Sequence, residues 1–475
     1  MELRTCFSEW NHNVVVHVLL RLTSGFANSV WHGTVFVTFV YGLTGSNAFA
    51  GSLDAVQNVS ALLCSLPIGW LADRWSASGV IALCALLVPV AAALTALAAV
   101  CGESISSFEV CRGGKAEVFL LVAQACWGAI GAAVDGPAQA MYAGSMRRAD
   151  RSHFYTIAFV AYTLAGAAGR LLTICMFLAH GNAWDLSTLR DAVLVGVAFE
   201  LLAGGCMLGY RSKAIVDEPR EHANYKDSSP REAESEAPEN VSEPACSDWI
   251  WLMPYVQLSS NLCFSWGAGM TVRFFPLFFE RDCQLTPVGV QSVYLILPLV
   301  IALSSNVAAI IAKRLGRVLT IVLIRGAGCL LLVLMYIYAD VRSDSPQQGP
   351  LSVWRPHVLF LVGLFLMRSG LANCTTPLSS ALLMDYVSPT VRARWAGLGG
   401  SVVKVSWAAS AAIGGVLADQ YGYRFTFLLT ALLQGVGTIL QASLLTILPS
   451  SEGLQPQVFA NPVKHDLSKP LLAVR

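Results

Sequence analysis

Twelve hydrophobic segments of helical length run along this chain, and one acidic stretch divides them six and six. A helix that crosses a bilayer needs about 20 mostly apolar residues. Because hydrocarbon offers no hydrogen-bond partners, such a segment must satisfy its own backbone as a helix. The pattern therefore predicts an all-α integral membrane protein embedded in the lipid bilayer. The predicted spans are 22–43, 53–72, 78–100, 117–143, 153–179, 190–210, 250–279, 287–312, 318–340, 357–384, 395–417 and 424–447.

The composition excludes a soluble globular protein. Of the 475 residues, 55% are hydrophobic and 13% are charged, with a mean hydropathy of +0.58. Soluble domains carry about 25% charged residues. The net charge of +1 gives no indication of a nucleic-acid partner.

The distribution of positive charge predicts the orientation. Loops after the even-numbered spans contain about twice as many Lys and Arg residues as loops after the odd-numbered spans, and cytosolic loops are enriched in these residues. We therefore expect both termini and the central stretch to be cytosolic, in the plasma membrane or an organelle membrane. Two basic clusters carry much of this signal: Arg147, Arg148 and Arg151, and Lys313, Arg314 and Arg317.

The acidic stretch divides the chain into domains. Residues 211–248 contain ten Asp/Glu, five Lys/Arg and four Pro, too little apolar surface to offset the chain entropy of folding. It is interpreted as a flexible linker that either only tethers the halves or also regulates them. The predicted domains are a six-helix bundle at 1–210, a linker at 211–249, a six-helix bundle at 250–448 and a cytosolic tail at 449–475.

Two cysteines are candidates for a disulfide. Cys101 and Cys111 share the predicted non-cytosolic loop after the third span, where they either pair or stay free. No Cys or His spacing indicates a metal site, and no cofactor motif occurs.

The two halves resemble a repeat. A shift of 240 positions places the segment from Gly136 on the segment from Thr376, so that Pro137 meets Pro377. Paired bundles of like topology place a substrate site between them near the middle of the membrane.

The loop after the second span carries a family signature. It reads GWLADRWSAS, in which Gly69, Asp73 and Arg74 match the pattern Gly-x-x-x-Asp-Arg/Lys-x-Gly-Arg-Arg/Lys of the major facilitator superfamily. Glycine allows close helix packing, and an Asp-Arg pair can act as a charge latch between states. A simple topogenic turn is the alternative reading. The matching loop after span 8, AKRLGR, keeps Arg314, Gly316 and Arg317.

Further stretches support this resemblance over nearly the whole chain. GGVLADQYGYRFTF, from Gly414, looks like the superfamily's connection between helices 11 and 12. WGAGMTVRFFPLFF, from Trp266, resembles helix 7 of a eukaryotic branch of uncertain substrate. The likeness to drug antiporters is distant, because helix 5 has only Gly166 and Gly169 where those proteins have a fuller glycine–proline motif. The resemblance implies two pseudo-symmetric six-helix bundles whose helices 1, 4, 7 and 10 line a cavity for a small molecule.

Ionisable residues inside spans are candidate machinery, because each is costly there unless it is paired or hydrated. Asp135 lies 18 residues into span 4, about 27 Å from its outer end. It is either a protonatable carboxylate in a buried site or a structural carboxylate, held by a neighbouring arginine or placed at the cytosolic rim. Arg368 in span 10 either binds an anionic group, pairs with Asp135 or is purely structural, and Asn373 lies one turn further on.

The remaining polar residues carry similar alternatives. Asn28 and His32 share a helical face that points into the cavity or into packing. Asp54 and Arg273 form an outer gate, or else Asp54 stabilises a helix dipole and Arg273 snorkels. Lys404 and Arg170 are added to the substrate and proton pathway, whereas Arg325 is expected to snorkel.

The leading function hypothesis is a secondary active transporter that works by alternating access, coupled to protons through Asp135 or uncoupled, and acts as a monomer. The alternative from another class is a membrane receptor on the same fold. An enzyme is not expected, because no motif gathers a nucleophile with its base.

Overall fold

The computed structural model describes residues 10–101, 115–146, 151–212, 250–340, 356–387 and 392–447, and these are almost entirely helical. Three short non-α segments interrupt the helices: the π-helical turn Val134–Ala138 and the 3₁₀ turns Ile250–Leu252 and Val272–Phe274. The α-helices are α1 His12–Val30, α2 Thr34–Thr44, α3 Asn47–Arg74, α4 Ala77–Ala85, α5 Leu87–Cys101, α6 Lys115–Ala133, α7 Gln139–Gly144, α8 Arg151–Ala179, α9 Leu186–Met207, α10 Met253–Thr271, α11 Phe275–Arg281, α12 Pro287–Leu315, α13 Arg317–Asp340, α14 Pro356–Asp385 and α15 Arg392–Ile447.

Within these ranges, ten helical segments, some of them with an internal break, are long and apolar enough to cross a membrane. The last of them, in α15, consists of two helices that meet at Gly422, where φ is +79°. Helix α9 is not among the ten and carries three charged residues, Arg190, Asp191 and Glu200. The all-α multi-pass membrane architecture is confirmed, and the count of twelve spans stays a prediction.

The predicted start of the first span, residue 22, is wrong, because α1 begins at His12. The extra turns contain polar residues, of which Asn13 and His17 are buried against partners from the same half. Nδ2 of Asn13 donates to Oγ of Ser145 at 2.9 Å, and the ring of His17 stacks on that of Tyr142 with centroids 4.0 Å apart. Hydropathy cannot show these contacts, since the partners come from distant parts of the chain.

The helices pack as two bundles. In the N-terminal half α1 lies against α8 and α9, while α6 lies against α3 and α5. In the C-terminal half α15 packs on α10 and α13, and α14 packs on α12 and α13. The halves meet where α3 contacts α15 and where α8 contacts α12. The domain boundaries stay predictions, and the linker from 213 to 249 and the tail at 449–475 lie outside the described residues.

The signature loops have an open geometry. A Cβ atom added to Gly69 would meet no heavy atom within 4 Å, so the close helix packing expected there is not observed. The Arg74 guanidinium lies over the Trp70 ring at 5.4 Å from its centroid. Gly316 ends α12 with φ +83°. Arg314 lies in the last turn of α12 and Arg317 opens α13, whereas Arg147 and Arg148 lie outside the described residues.

Two further sequence expectations are settled in part. Cys101 is disulfide-bonded, while Cys111, its candidate partner, lies outside the described residues. Arg325 does not snorkel, since it is only 5% exposed. Its guanidinium donates to Oγ of Ser260 and Oδ1 of Asn261, both at 2.9 Å, inside the C-terminal bundle.

Candidate functional site

A cavity of about 460 Å³ lies between the two halves. This volume falls within the range that small-molecule sites occupy. Both bundles contribute charged and aromatic side chains to its wall. The lining residues include Ser29, His32, Asp54, Gln57, Asn58, Trp127, Asp135, Arg170, Arg273, Tyr294, Lys404 and Trp407.

Three of the charged or ionisable lining residues lie where a helix is interrupted. His32 is in the break between α1 and α2, Asp135 is in the π-helical turn after α6, and Arg273 is in the 3₁₀ turn after α10. Pro137 lies inside the π-turn, where it cannot donate a backbone hydrogen bond. Irregular backbone at membrane depth is tolerated where it lines a cavity or is buried in protein. Such π-turns are frequent at functional sites.

Asp54 and Arg273 form a cross-half contact in the cavity wall. Nε of Arg273 lies 3.1 Å from Oδ2 of Asp54, close enough for an ion pair although the angle is not that of a hydrogen bond. Both side chains are nearly buried, at 11% and 8% exposure. The Arg273 guanidinium also lies over the ring of Phe36. The snorkelling reading of Arg273 is therefore wrong, and the gate role stays a prediction.

Asp135 and Lys404 form a second cross-half contact. Nζ of Lys404 lies 3.5 Å from Oδ2 of Asp135. The Asp135 side chain is 57% exposed, so the expected deep burial is not observed. The carboxylate is instead accessible from the cavity, and its partner is this lysine rather than an arginine.

The predicted pair on the first helix is separated. His32 lines the cavity, and its Nε2 lies 3.2 Å from Oε1 of Gln57. Asn28 does not line it, because its amide donates back to the carbonyl of Ser24 at 2.9 Å. The helix ends at Val30, so the shared face of an uninterrupted helix does not continue to His32.

The two candidate residues of the tenth predicted span do not reach the cavity. Neither Arg368 nor Asn373 lines the cavity, and Nδ2 of Asn373 donates to the carbonyl of Ser369. Arg368 is 3% exposed and lies over the ring of Phe275 at 5.6 Å. It does not meet Asp135. Arg170, by contrast, is in the cavity wall.

The sequence analysis missed several lining residues. Gln57 and Asn58 are amides inside a predicted span, where polar side chains are unusual, and this signal could have identified them. Trp127, Tyr294 and Trp407 carry no comparable signal, because aromatic residues at helical spacing are commonly packed in a core.

At one end of the interface between the two halves, a carboxylate of the C-terminal half accepts hydrogen bonds from the N-terminal half. Asp419 of α15 accepts hydrogen bonds from the backbone N–H groups of Asn47 and Ala48, at 2.9 and 2.8 Å, at the start of α3. The Asn47 amide and the Ser46 hydroxyl also donate to it. The hydroxyl of Tyr423 donates to Oδ1 of Asn47 at 3.0 Å. This cross-half cluster of Ser46, Asn47, Ala48, Asp419 and Tyr423 is called the end clamp below.

Close packing continues beside the end clamp. A Cβ added to Gly415 would lie 2.4 Å from the carbonyl oxygen of Asn47, and one added to Gly51 would lie 2.3 Å from that of Ala411. Only glycine permits this approach. The end clamp belongs to the predicted non-cytosolic side, so the halves are closed together there.

Comparison with known proteins gives a consistent result. Residues 18–367 match the sequence profile of the Major Facilitator Superfamily. A D-xylose–proton symporter has a similar structure, with a TM-score of 0.65, 11% identity and coverage of 93% of this chain and 98% of that one. The nucleoside transporter NupG, in a mutant form, has a TM-score of 0.62 at 13% identity and coverage of 91% and 99%.

A third similar structure is a bacterial homologue of the human lysosomal transporter Spinster in an inward-facing, occupied conformation. Its TM-score is 0.62 at 13% identity, with coverage of 92% of this chain and 96% of that one. No curated protein matches the sequence. At these identities the structural likenesses show the fold alone.

Proposed function

Since this chain belongs to the Major Facilitator Superfamily and is a multi-pass membrane transport protein, we propose that it carries a small organic solute by alternating access. The observation that carries the proposal is the cavity between the halves, with the end clamp joining them on one side. A solute bound there would reach the other compartment when the end clamp opens and the opposite ends of the bundles approach. We further propose that the protein acts as a monomer with both termini in the cytosol.

Proton coupling through Asp135 is the second part of the proposal. The carboxylate is accessible from the cavity and its partner lies on the opposite half, so its protonation would break a contact that holds the halves in their present arrangement. Protonation is thereby linked to rocking of the bundles, because a ligand shifts a conformational equilibrium only through a different affinity for the two states.

The test begins with a thermal-shift screen of metabolites and drugs on the purified chain, followed by uptake of each stabilising compound into liposomes at two pH values. We expect Asp135→Asn to abolish pH-driven accumulation and to retain exchange of the solute. Accumulation that is unchanged in this variant would refute coupling through Asp135 and favour another route or an uncoupled carrier.

A matched control is Asp185→Asn, at the N-cap of α9, whose side chain makes no capping hydrogen bond and does not line the cavity. It should leave accumulation as in the wild type. A compound that stabilises the protein but never crosses the liposome wall would favour the receptor alternative.

A further inference from the structure

Two buried arginines in the C-terminal half differ in how the protein satisfies them. The Arg325 guanidinium reaches the hydroxyls of Ser260 and Ser379 and the amide of Asn261, and lies 4.1 Å from the centroid of the Phe264 ring. Arg368 is as deeply buried, but its Nε and Nη2 atoms have no hydrogen-bond partner in the described part of the chain. The protein thus supplies hydrogen-bond acceptors for the guanidinium of Arg325 and leaves two nitrogens of Arg368 without an acceptor.

The positively charged residues in and near the cavity also differ in whether a carboxylate lies beside them. Asp54 compensates Arg273, and Asp135 compensates Lys404. Neither Arg170 nor Arg368 has a carboxylate within 4 Å among the residues that the structure describes. Two positive charges are therefore left without an anion, Arg170 in the cavity wall and Arg368 buried behind it, and a buried charge without a partner is costly.

Both uncompensated arginines lie near Tyr294. Arg170 and Tyr294 line the same cavity from α8 and α12, which pack against each other. Arg368 lies over the ring of Phe275, which packs on Phe365 with centroids 4.7 Å apart. The Tyr294 ring packs on Phe365, with centroids 5.7 Å apart, and Phe365 is one helical turn from Arg368. Tyr294 thus has Arg170 beside it in the cavity wall and Arg368 in the packed layer behind it.

From this juxtaposition we infer that the transported solute is an organic anion with an aromatic body, an inference that rests on the proposed transport function. Its carboxylate contacts Arg170 and the Tyr294 hydroxyl in the cavity. Its apolar body lies against the indole rings of Trp127 and Trp407, which line the same space. Arg368 is a positioning residue, because it adds positive field from behind Tyr294 without lining the cavity.

The test compares three probes of one shape and different charge: naphthalene-2-carboxylate, naphthalene-2-carboxamide and naphthalen-2-ylmethylamine. Binding to the purified full chain in micelles is measured by calorimetry. We expect the carboxylate to bind at least about tenfold more tightly than the amide, since a charge-assisted contact replaces a neutral one. Arg170→Gln should remove this preference while leaving the affinity for the amide unchanged, and Arg170→Lys should retain part of it.

Arg368→Gln should lower the preference by a smaller factor, and Arg368→Lys should restore it, which a purely structural role would not predict. Arg325→Gln is the matched control, an equally buried arginine that the protein satisfies itself. It should keep the carboxylate preference of the wild type. Equal binding of carboxylate and amide by the wild type, or a preference that survives Arg170→Gln, would overturn the inference.

Counterflow of the same probes in liposomes separates this inference from the proposed function. If the amide or the amine crosses and the carboxylate does not, the anion inference is wrong and transport stands. If the carboxylate binds through Arg170 but never crosses, the anion site stands and transport fails. If none of the three probes binds, the aromatic anion is excluded, and pH-driven uptake of the screened compounds still decides on transport.

Discussion

Asp54→Asn is expected to lower the free energy of unfolding by about 3 kcal/mol and to abolish transport. The change removes the negative charge beside Arg273 in a wall where both side chains are nearly buried. The arginine is then left as an uncompensated charge with little access to water, and removing one partner of a buried pair costs more than removing both. Thermal unfolding in detergent micelles and uptake into liposomes measure the two effects.

The double variant Asp54→Asn with Arg273→Gln gives the sharper result. It should recover most of the lost stability, because no unpaired charge remains. Asp191→Asn is the matched control, since it breaks an ion pair with Arg190 that is 28% and 39% exposed. Exposed pairs contribute little, so we expect a change below about 1 kcal/mol. A double variant as unstable as the single one would show that the uncompensated charge of Arg273 is not the cause of the lost stability.

Asp419→Ala is expected to shift the equilibrium of the halves about 30-fold toward opening at the end clamp. The variant loses the acceptor of four cross-half hydrogen bonds, from Ser46, Asn47 and Ala48. Hydrogen bonds to a carboxylate contribute about 1.5–3 kcal/mol each when shielded from water. Because Asp419 is exposed, we expect about 2 kcal/mol in total, which is the 30-fold change.

The measurement is the rate at which a membrane-impermeant maleimide, added on the predicted non-cytosolic side, labels Asn58→Cys in the cavity wall. The free native cysteines are replaced by serine beforehand. The rate reports the population open to that side and should rise about 30-fold in the Asp419→Ala background. Asp282→Ala is the control, because this carboxylate follows α11 on the same predicted side and is not part of the end clamp. Equal labelling rates with and without Asp419 would exclude a clamp.

The sequence predicted the charged residues of the cavity wall better than it predicted their ion-pair partners. Asp54, Asp135, Arg170, Arg273 and Lys404 stood out because a charge inside an apolar span is costly, and all five line the cavity. The pairing expected between Asp135 and Arg368 is not observed. Asp135 instead meets Lys404, 269 positions further along the chain. Hydropathy reports the cost of a charge and carries no information about which distant charge offsets it.

Arg325 and Arg368 show the same limit within one half. Each is a single arginine in an apolar stretch, and the sequence predicted a cavity role for Arg368 and snorkelling for Arg325. The structure separates them, because hydroxyl and amide groups from α10 and α14 surround Arg325 and leave two nitrogens of Arg368 without a partner. Asp419 was missed for a related reason, since two of its four donors are backbone N–H groups, which any sequence supplies, and all four lie in the other half.

The sequence by itself determined that this chain lies in a membrane as helices, since apolar segments of this length can satisfy their backbone in hydrocarbon only within themselves. It also determined at which positions ionisable residues lie within those apolar segments. Only the tertiary structure decided which charges compensate each other, which arginines are left without an anion and which end of the bundles is closed. These features depend on contacts of a few ångströms between helices more than a hundred residues apart, and such contacts leave no periodic signal in the chain.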